Sequence, residues 1–310
     1  MGKKLFIDFD FMGLRKLAMG LSAALILISL ISLATLELNL GIDFTGGSVI
    51  EVGYEQAVEL QPIRNMLESN GFGDAIVQHF GSASEVLIRL VPKVDQDKAE
   101  LSSQIINLLS DASTGSIDVR RVDFVGPQVG QELTEDGGLA VLYALISILI
   151  YVSIRFEYRF SLGAVAALIH DVIITLGIFS LLQLDFDLSV LAAVLAVIGY
   201  SLNDTIVVFD RIRENFRKIR KKTSLEITNT SINQTFSRTL MTSLTTLLVL
   251  LSLFFLGGEV IHSFALALII GVLVGTYSSI YVATTTALAL GIKRSDLLIP
   301  EKDSEEMARP

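Results

Sequence analysis

A single carboxylic acid, Asp204, lies inside a nearly uncharged stretch that runs from Leu188 to Phe209. A helix of about twenty residues, rising roughly 1.5 Å per residue, crosses a hydrocarbon core of about 30 Å. A carboxylate there costs roughly 2.5 to 3.5 kcal/mol, so such an acid is a candidate for handling an ion or a proton. The alternative is a polar contact between helices, worth about 0.6 to 2 kcal/mol. We favour the functional interpretation, because Ser or Asn would supply that contact at a lower cost.

Polar residues surround this acid in the sequence. Tyr200 and Ser201 precede Asp204 by four and three residues, and Asn203 adjoins it within the segment SLNDT. On a helix, residues three and four apart share one face, so Tyr200 and Ser201 lie on the face of the acid. Exposing that face to lipid would be costly, so we expect it to point into the protein. Tyr200, Ser201 and Asn203 are therefore predicted to support Asp204.

A basic residue, Arg238, precedes the next apolar stretch, and Thr242 follows it at helical spacing. If the two helices face each other, Arg238 pairs with an ionised Asp204 and loses that partner when the acid is protonated. Such a pair is a charge switch, with Thr242 as a neighbouring hydroxyl. The alternative is that Arg238 opens its helix and anchors it at the membrane surface. The sequence alone leaves both interpretations open.

A second polar pair, His170 and Asp171, lies deep in the apolar stretch from Leu162 to Leu182. Histidine changes its charge near neutral pH, so this pair could extend a proton path. A structural role, in which His170 bonds across the helix bundle, is favoured slightly over the path. No metal site is expected, because one His–Asp pair without further ligands does not complete one.

Two glycines, Gly271 and Gly275, form the segment GVLVG in the last apolar stretch. Small residues at this spacing let two membrane helices approach each other closely. We therefore assign these glycines to helix packing rather than to a transport path.

The composition places these residues in a membrane protein. The chain has 310 residues, of which 51% are hydrophobic, and its mean hydropathy is +0.61. Several apolar stretches must therefore lie in lipid, so we predict a polytopic α-helical membrane protein. The net charge of −9 argues against nucleic-acid binding. Six transmembrane helices are predicted, at Leu17 to Leu36, Leu139 to Ile154, Leu162 to Leu182, Leu188 to Phe209, Leu240 to Leu256 and Phe264 to Leu290.

The distribution of basic residues predicts the orientation in the membrane, since cytoplasmic loops collect Lys and Arg. Basic residues cluster after the second, fourth and sixth helices, whereas the loops at 183–187 and 257–259 contain none. Both chain termini are therefore predicted to be cytoplasmic. The predicted division is a cytoplasmic N-terminus (1–16), helix one (17–36), an outer domain (37–138), helices two to six (139–290) with a basic cytoplasmic loop (210–238), and a cytoplasmic tail (291–310).

The outer segment alternates between strand and helix periodicity. Strands are predicted at Ser48 to Tyr54 and Ser116 to Val125, and a hairpin turns around Gly81 to Ser84. Helical patterns lie between them, at Ala57 to Ser69 and Asp95 to Leu109. The order β-α-β-β-α-β is that of a ferredoxin-like α+β domain. This acidic domain is either a cap or an active binding surface, with even weight on each.

Several motifs are absent from the sequence, and their absence bears on the energy source. There is no G-x-x-x-x-G-K-[ST] loop for a nucleotide, and no Ser/His/Asp or HExxH arrangement of a hydrolase. An enzyme and a bound cofactor are therefore not expected. Moving one charge through the membrane potential yields about 2.3 kcal/mol per 100 mV, which is the alternative source of energy.

Four segments resemble one known family. They are GIDFTGGSVIEV (Gly41 to Val52), DFVGPQVGQEL (Asp123 to Leu133), VIGYSLNDTIVVFDRIRENF (Val197 to Phe216) and SRTLMTSLTT (Ser237 to Thr246). Together they resemble the SecF family of protein-export membrane subunits, within the SecD/SecF group of the resistance-nodulation-division-like superfamily. The resemblance spans nearly the whole chain, and the motifs follow the order of the family.

The resemblance implies a function and a set of partners. It implies an inner-membrane subunit that pairs with SecD, works beside the SecYEG channel, SecA and YajC, and uses the proton-motive force to promote a late stage of preprotein translocation. The outer domain would then be periplasmic and would contact the emerging, unfolded chain. It also implies that the six helices are one half of a two-half bundle, with Asp204 and Arg238 as the proton relay and H⁺ as the coupling ion.

Two other functions remain open from the residues. One is a scaffold that stabilises the channel and holds the emerging chain without transducing energy. The other is half of a proton-driven exporter of small molecules, which the small outer domain with few aromatic residues disfavours.

Overall fold

The computed structural model describes residues 9–90, 98–112 and 116–292. The basic residues Lys3 and Lys4 and the predicted tail beyond residue 292 lie outside the described residues. The elements follow in the order α1 (Arg15–Thr35), β1 (Asn39–Leu40), α2 (Ile42–Thr45), β2 (Gly47–Tyr54), α3 (Leu60–Ser69), β3 (Ile76–Phe80), β4 (Ser82–Leu90), α4 (Lys98–Ala112), β5 (Ile117–Val125), α5 (Pro127–Arg155), α6 (Tyr158–Leu181), β6 (Asp185–Phe186), α7 (Leu188–Lys218), α8 (Ser224–Leu256), α9 (Glu259–Ser278) and, after a π-helical turn (Ser279–Ala283), α10 (Thr284–Ala289).

The prediction of six membrane helices is confirmed. In the part of the chain that the structure describes, six helices are long and apolar enough to cross a membrane, the last being α9 continued through the π turn into α10. Helix α6 is central and contacts α1, α5, α7 and α9. Helices α5 and α8 bury few of their apolar residues within the bundle. The chain is therefore a multi-pass membrane protein whose bundle has a buried centre and two open sides.

The helix ends differ from the predicted spans. Helix α5 begins at Pro127 rather than at Leu139, with the proline in its first turn. Helix α8 begins at Ser224, where Thr223 and Glu226 form a capping box. The predicted basic loop at 210–238 is thus reduced to residues 219–223. Hydropathy detects only the apolar part of a helix, whereas caps and packing decide where the helix ends.

The predicted β-α-β-β-α-β order is confirmed in the domain between α1 and α5. Its four strands form an antiparallel sheet in the order β3-β4-β2-β5, which is the split βαβ arrangement. The hairpin between β3 and β4 turns at Gly81 alone, with φ of 76°, so it is tighter than the predicted turn. Glycine adopts this positive φ without a steric penalty.

The two faces of this sheet pack against different parts of the protein. Alternate strand residues such as Ile50 and Ile88 are buried with Ile63 of α3 and Ile105 of α4. The residues between them face the other way, and Val49 and Leu87 pack with Ile42 of α2. A strand places successive side chains on opposite faces, so one sheet is buried on both sides. The second face is the one that meets the membrane helices.

An ion pair joins the sheet domain to the bundle. Strands β1 and β6 pair in parallel, so the chain segment after α1 lies beside the segment between α6 and α7. Asp185 of β6 accepts hydrogen bonds from Asn39 at 2.7 Å and Gln78 at 3.1 Å, and Arg89 of β4 donates to it at 3.2 Å. This junction ties the domain to the start of α7.

Close contact between backbones completes the junction. A Cβ atom at Gly46 would lie 2.8 Å from Cα of Pro127, and one at Gly130 would lie 2.8 Å from the carbonyl oxygen of Phe44. Gly46 also has φ of 70°. Only glycine permits this approach, so the start of α5 is held against α2 and β2.

The opposite end of the bundle is closed by residues 9–14. The backbone N–H groups of Phe9 and Met12 donate to the side chains of Asn233 and Asn229 on α8. Met12 is fully buried in the bundle core. The N-terminal segment thus lies across the helix ends that are farthest from the sheet domain.

We expect Asp185→Ala to loosen the junction, because it removes the acceptor of three hydrogen bonds. The free energy of local opening should fall by about 1 kcal/mol, which corresponds to about fivefold faster amide exchange. The effect is modest because the ion pair is partly exposed. Hydrogen exchange should rise in β1 and β6 and remain unchanged in the centre of β2. Glu68→Ala, which removes an exposed acid from α3, is the control. Unchanged exchange in β1 and β6 would contradict the role of Asp185.

Candidate proton-relay site

Helix α7 carries a buried polar face in its middle. Ser201, Asp204 and Thr205 are all buried. The Oδ2 atom of Asp204 and the Oγ1 atom of Thr205 have no hydrogen-bond partner within the described residues. A buried polar atom without a partner costs roughly 1 to 3 kcal/mol, and a charged one costs more. Asp204 is therefore held in the interior without the bonds that a structural acid makes.

The structure places Arg238 differently from the predicted helix mouth. Because α8 begins at Ser224, Arg238 lies near the middle of this helix and is exposed. Hydrogen bonds from Tyr200 to Ser243 and from Asn215 to Ser231 place Arg238 at about the level of Asp204 on the neighbouring helix. No ion pair shorter than 4.0 Å joins Arg238 and Asp204 in the described part of the chain. Arg238 also presents a cation on the outer surface of a membrane helix, where lipid would not solvate it.

The predicted supporting residues do not all lie on the buried face that carries Asp204. The Tyr200 hydroxyl donates to Ser243 of α8 at 3.4 Å, and Thr242 donates to the backbone oxygen of Arg238 at 3.0 Å. Asn203 is exposed on the side of α7 away from Asp204. The structure therefore brings Ser201 to the buried face with Asp204, but it does not bring Asn203 there.

Thr205 and Thr239 are residues of this site that were not predicted from the sequence. Thr239 of α8 is buried next to Arg238, and its Oγ1 atom has no hydrogen-bond partner among the described residues. The sequence contains a signal for it, because Thr239 is four residues before the buried Ser243 and thus shares its helix face. Thr239 and Thr205 are two hydroxyls left unsatisfied on the helices that carry Arg238 and Asp204.

His170 and Asp171 form the centre of a hydrogen-bond network. Both are buried on α6, and Nδ1 of His170 lies 2.9 Å from Oδ1 of Asp171. Oδ2 of Asp171 accepts from the hydroxyl of Ser201 at 2.5 Å and from that of Ser278 at 2.8 Å. Three helices thus supply hydrogen-bond partners to one carboxyl group. Ser201 links this network to the helix face of Asp204.

The network continues into α1 on the other side of His170. Nε2 of His170 lies 3.1 Å from Oγ of Ser22, which lies 3.0 Å from the hydroxyl of Tyr277. Tyr277 in turn donates to the backbone oxygen of Ala18 at 2.6 Å. Ser22, Tyr277 and Ser278 were not predicted from the sequence, since each lies on a helix remote in sequence from His170.

Gly271 and Gly275 lie where α9 crosses α7. A Cβ atom at Gly271 would lie 2.0 Å from Cγ2 of Val197, and one at Gly275 would lie 3.0 Å from Cβ of Ser201. The two glycines therefore allow α9 to approach α7 closely. This approach brings Ser278 and Ser201 to the same oxygen of Asp171. The π-helical turn that follows Ser278 is a geometry often found at functional sites.

No group of three or more His, Cys, Asp or Glu side chains that could hold a metal ion occurs in residues 9–90, 98–112 and 116–292. The chemistry that the site supports is proton binding and charge pairing by Asp204, Arg238, His170 and Asp171.

Comparison with known proteins identifies the family. Residues 104–293 match the family model of the protein export membrane protein SecD/SecF, C-terminal, and residues 31–58 match the SecD/SecF GG motif. The chain belongs to the SecD/SecF family. The matched ranges contain Asp204, Arg238, His170 and Asp171, as well as the Gly46 junction.

Relatives of similar length place the chain in the SecF branch of this family. The chain is 56% identical over 295 residues to a protein translocase subunit SecF of Vibrio alginolyticus, with 95% of this chain and 94% of the relative covered. It is 47% identical over 302 residues to the SecF subunit of Pseudomonas aeruginosa, with 97% of each chain covered. The predicted resemblance to SecF is therefore confirmed.

Solved structures give the same assignment. The fold matches the crystal structure of SecDF, a translocon-associated membrane protein from Thermus thermophilus, with a TM-score of 0.83 and 40% identity. It also matches SecDF in a super-membrane-facing form, with a TM-score of 0.67 and 41% identity. In both, the match covers 91% of this chain but only 38% of the longer SecDF chain.

In this SecF-family bundle we expect Gly271→Ala to weaken the packing of α7 against α9. The added methyl group would collide with Val197, and overpacking of this kind costs about 1 to 3 kcal/mol. Thermal unfolding in detergent should show a lower midpoint for this variant. Gly199→Ala is the matched control, because a Cβ atom there meets nothing within 4 Å. Adding Val197→Ala should restore stability, and a failure to do so would contradict the contact.

Proposed function

We propose that this translocase subunit uses a transmembrane proton gradient to promote a late stage of preprotein export, with Asp204 as the proton-binding group. The observation that carries this proposal is the buried carboxyl of Asp204, which has an oxygen without a hydrogen-bond partner in the described residues. A structural acid would be bonded, whereas a group that takes up and releases a proton must exist in two states of similar free energy. Burial of the carboxyl favours its protonated state, whereas the positive charge of Arg238 favours the ionised state.

The orientation follows from the charge distribution. We place the end with residues 219–223 and both termini in the cytoplasm, because Arg and Lys residues cluster there. The sheet domain then lies in the periplasm, and the membrane is the inner membrane. The domain is thus on the side where an exported chain emerges.

The proposed partner within the membrane is SecD. Helices α5 and α8 leave apolar side chains exposed, and Arg238 is exposed near the middle of α8. A second six-helix half would cover these sides and surround the guanidinium with protein. The longer chain of the solved SecDF structures, of which this chain matches 38%, has room for such a half. The SecYEG channel, SecA and YajC are the further partners, and an unfolded preprotein is the substrate.

The proposed mechanism begins with protonation of Asp204 from the periplasmic side. The proton neutralises the carboxylate and removes its attraction to Arg238, so α7 and α8 repack. Release of the proton to the cytoplasm restores the attraction. A shift from one state to the other requires a difference in proton affinity worth a few kcal/mol. No bound cofactor takes part in this cycle, and the coupling ion is H⁺.

The structure contains a physical connection from this acid to the outer domain. Helix α7 carries Asp204 and begins at Leu188, directly after β6 and the Asp187 that caps the helix. Asp185 of β6 is bonded to Arg89 of the sheet. A displacement of α7 therefore acts on the sheet domain through this junction, which couples protonation to movement of the periplasmic domain.

We expect Asp204→Asn to abolish the part of preprotein export that depends on the proton gradient, because the amide cannot take up the proton. In inner-membrane vesicles that contain the whole complex, the rate of gradient-dependent export should fall by about tenfold or more. A tenfold change is equivalent to about 1.4 kcal/mol. Asp210→Asn removes an acid from the exposed end of the same helix and is the control. Gradient-dependent export at the wild-type rate in Asp204→Asn would exclude the assignment.

Arg238→Lys should retain part of the gradient-dependent export, and Arg238→Gln should lose it, because the site requires a positive charge near Asp204. Co-purification with the partner should be measured for both variants in the same membranes. A scaffold without energy transduction would work normally after replacement of both Asp204 and Arg238 and would fail only when residues 37–138 are removed.

A further inference from the structure

The hydrogen bonds around His170 determine where its protons lie. The hydroxyl of Tyr277 has one proton, which it donates to the backbone oxygen of Ala18. In the 3.0 Å contact between Ser22 and Tyr277, Ser22 must therefore be the donor. Its single proton is then used, so in the 3.1 Å contact with His170 the hydroxyl oxygen must accept. It follows that Nε2 of His170 carries a proton.

The other ring nitrogen faces Asp171. The hydrogen bond of 2.9 Å between Nδ1 of His170 and Oδ1 of Asp171 requires one proton between the two atoms. If the proton is on nitrogen, the pair is an imidazolium with a carboxylate. If it is on oxygen, the pair is a neutral imidazole with a carboxylic acid. In both forms the net charge of the pair is zero.

The burial of the pair leads independently to the same result. Both side chains are about 1% exposed. A neutral histidine beside a carboxylate would leave one uncompensated negative charge in the apolar interior, which is strongly unfavourable. The shared proton removes that charge. The proton count from the hydrogen bonds and the cost of burial thus agree.

We propose that His170 and Asp171 form a second proton-binding site, which holds one shared proton in this structure and exchanges protons with Asp204 through the hydroxyl of Ser201. The exchange with Asp204 rests on the function proposed above, whereas the shared proton does not. Ser201 precedes Asp204 by three residues on the same buried face of α7 and donates to Asp171. Its hydroxyl is the donor to Asp171 that lies on the same helix face as Asp204.

The transfer balances in protons and charge. The carboxyl proton of a protonated Asp204 passes to Oγ of Ser201 while the hydroxyl proton of Ser201 passes to Oδ2 of Asp171. Asp204 becomes a carboxylate, Ser201 is unchanged, and the pair becomes an imidazolium with a carboxylic acid, carrying one positive charge. The reverse step returns the proton. The two opposite charges that result attract each other, which offsets part of the cost of separating them.

The surroundings of the pair support a proton site rather than an ion pair with another residue. Helix α1 contributes Ser22, helix α7 contributes Ser201 with Asp204 one turn away, and α9 contributes Tyr277 and Ser278. Among the described residues, no Lys or Arg makes an ion pair with Asp171. A shared or transferred proton is thus the positive charge available to this acid.

The protonation state of His170 can be measured directly, because the chain has only three histidines. Replacing the other two, by His79→Gln and His262→Gln, leaves His170 as a single reporter. With ¹⁵N-labelled histidine and the complex in lipid vesicles, solid-state NMR should show Nε2 protonated from about pH 6 to 8, across the range in which an ordinary histidine titrates. An unprotonated Nε2 in this range would overturn the proposal.

The exchange with Asp204 is tested by two variants and a control in the vesicle export assay. Asp171→Asn and Ser201→Ala should each lower gradient-dependent export by about tenfold, and Ser201→Ala should leave the Nε2 proton of His170 in place. Thr175→Val is the matched control, because Thr175 is buried one turn from Asp171 and donates only to its backbone oxygen. Export in Asp171→Asn or Ser201→Ala equal to that of Thr175→Val would overturn the exchange.

These measurements separate the two proposals. A protonated Nε2 together with a fully active Asp204→Asn variant would retain the proton site at His170 and exclude the proposed function of Asp204, and with it the exchange. An unprotonated Nε2 together with an inactive Asp204→Asn variant would retain that function and exclude the second site.

Discussion

The cost of placing a carboxyl group in a hydrocarbon environment governs the centre of this bundle. Two acids are buried there, and the protein treats them in opposite ways. Asp171 makes hydrogen bonds with residues on α6, α7 and α9, whereas an oxygen of Asp204 is left without a partner in the described residues. Satisfying Asp171 requires α9 to approach α7 closely, which the glycines at 271 and 275 permit. A bonded acid favours one arrangement of the helices. An unbonded acid close to a cation leaves the arrangement dependent on its protonation.

Helix α7 connects the polar centre of the bundle to the sheet domain. Its first residue follows the strand that is tied to the sheet domain by Arg89, and its middle carries Ser201 and Asp204. A single helix thus joins Asp204 to the junction with the sheet domain. The π-helical turn in the last membrane helix lies directly after Ser278, so the helix is irregular where it meets the network.

The surface of the bundle favours association with a second membrane protein. The central helix α6 is covered by α1, α5, α7 and α9, but α5 and α8 are open on their outer sides. Lipid alone could cover the exposed apolar side chains. It could not solvate the exposed Arg238, because a cation near the middle of a membrane helix requires polar surroundings. Similarity to a SecDF chain of which this chain matches 38% agrees with this requirement.

The sequence by itself determined the six spans, the β-α-β-β-α-β order of the domain, the family and the burial of Asp204, because hydropathy, periodicity and local motifs are properties of single segments. It placed Arg238 at a helix mouth and a long loop at 210–238, since the polar first turns of α8 carry no hydropathy signal. Only the tertiary structure decided that Asn203 faces outward, that Arg238 approaches Asp204 without contact, and that Ser22, Tyr277 and Ser278 complete the network of His170. These contacts join residues far apart in the chain, and one helix cannot specify which face of another it will meet.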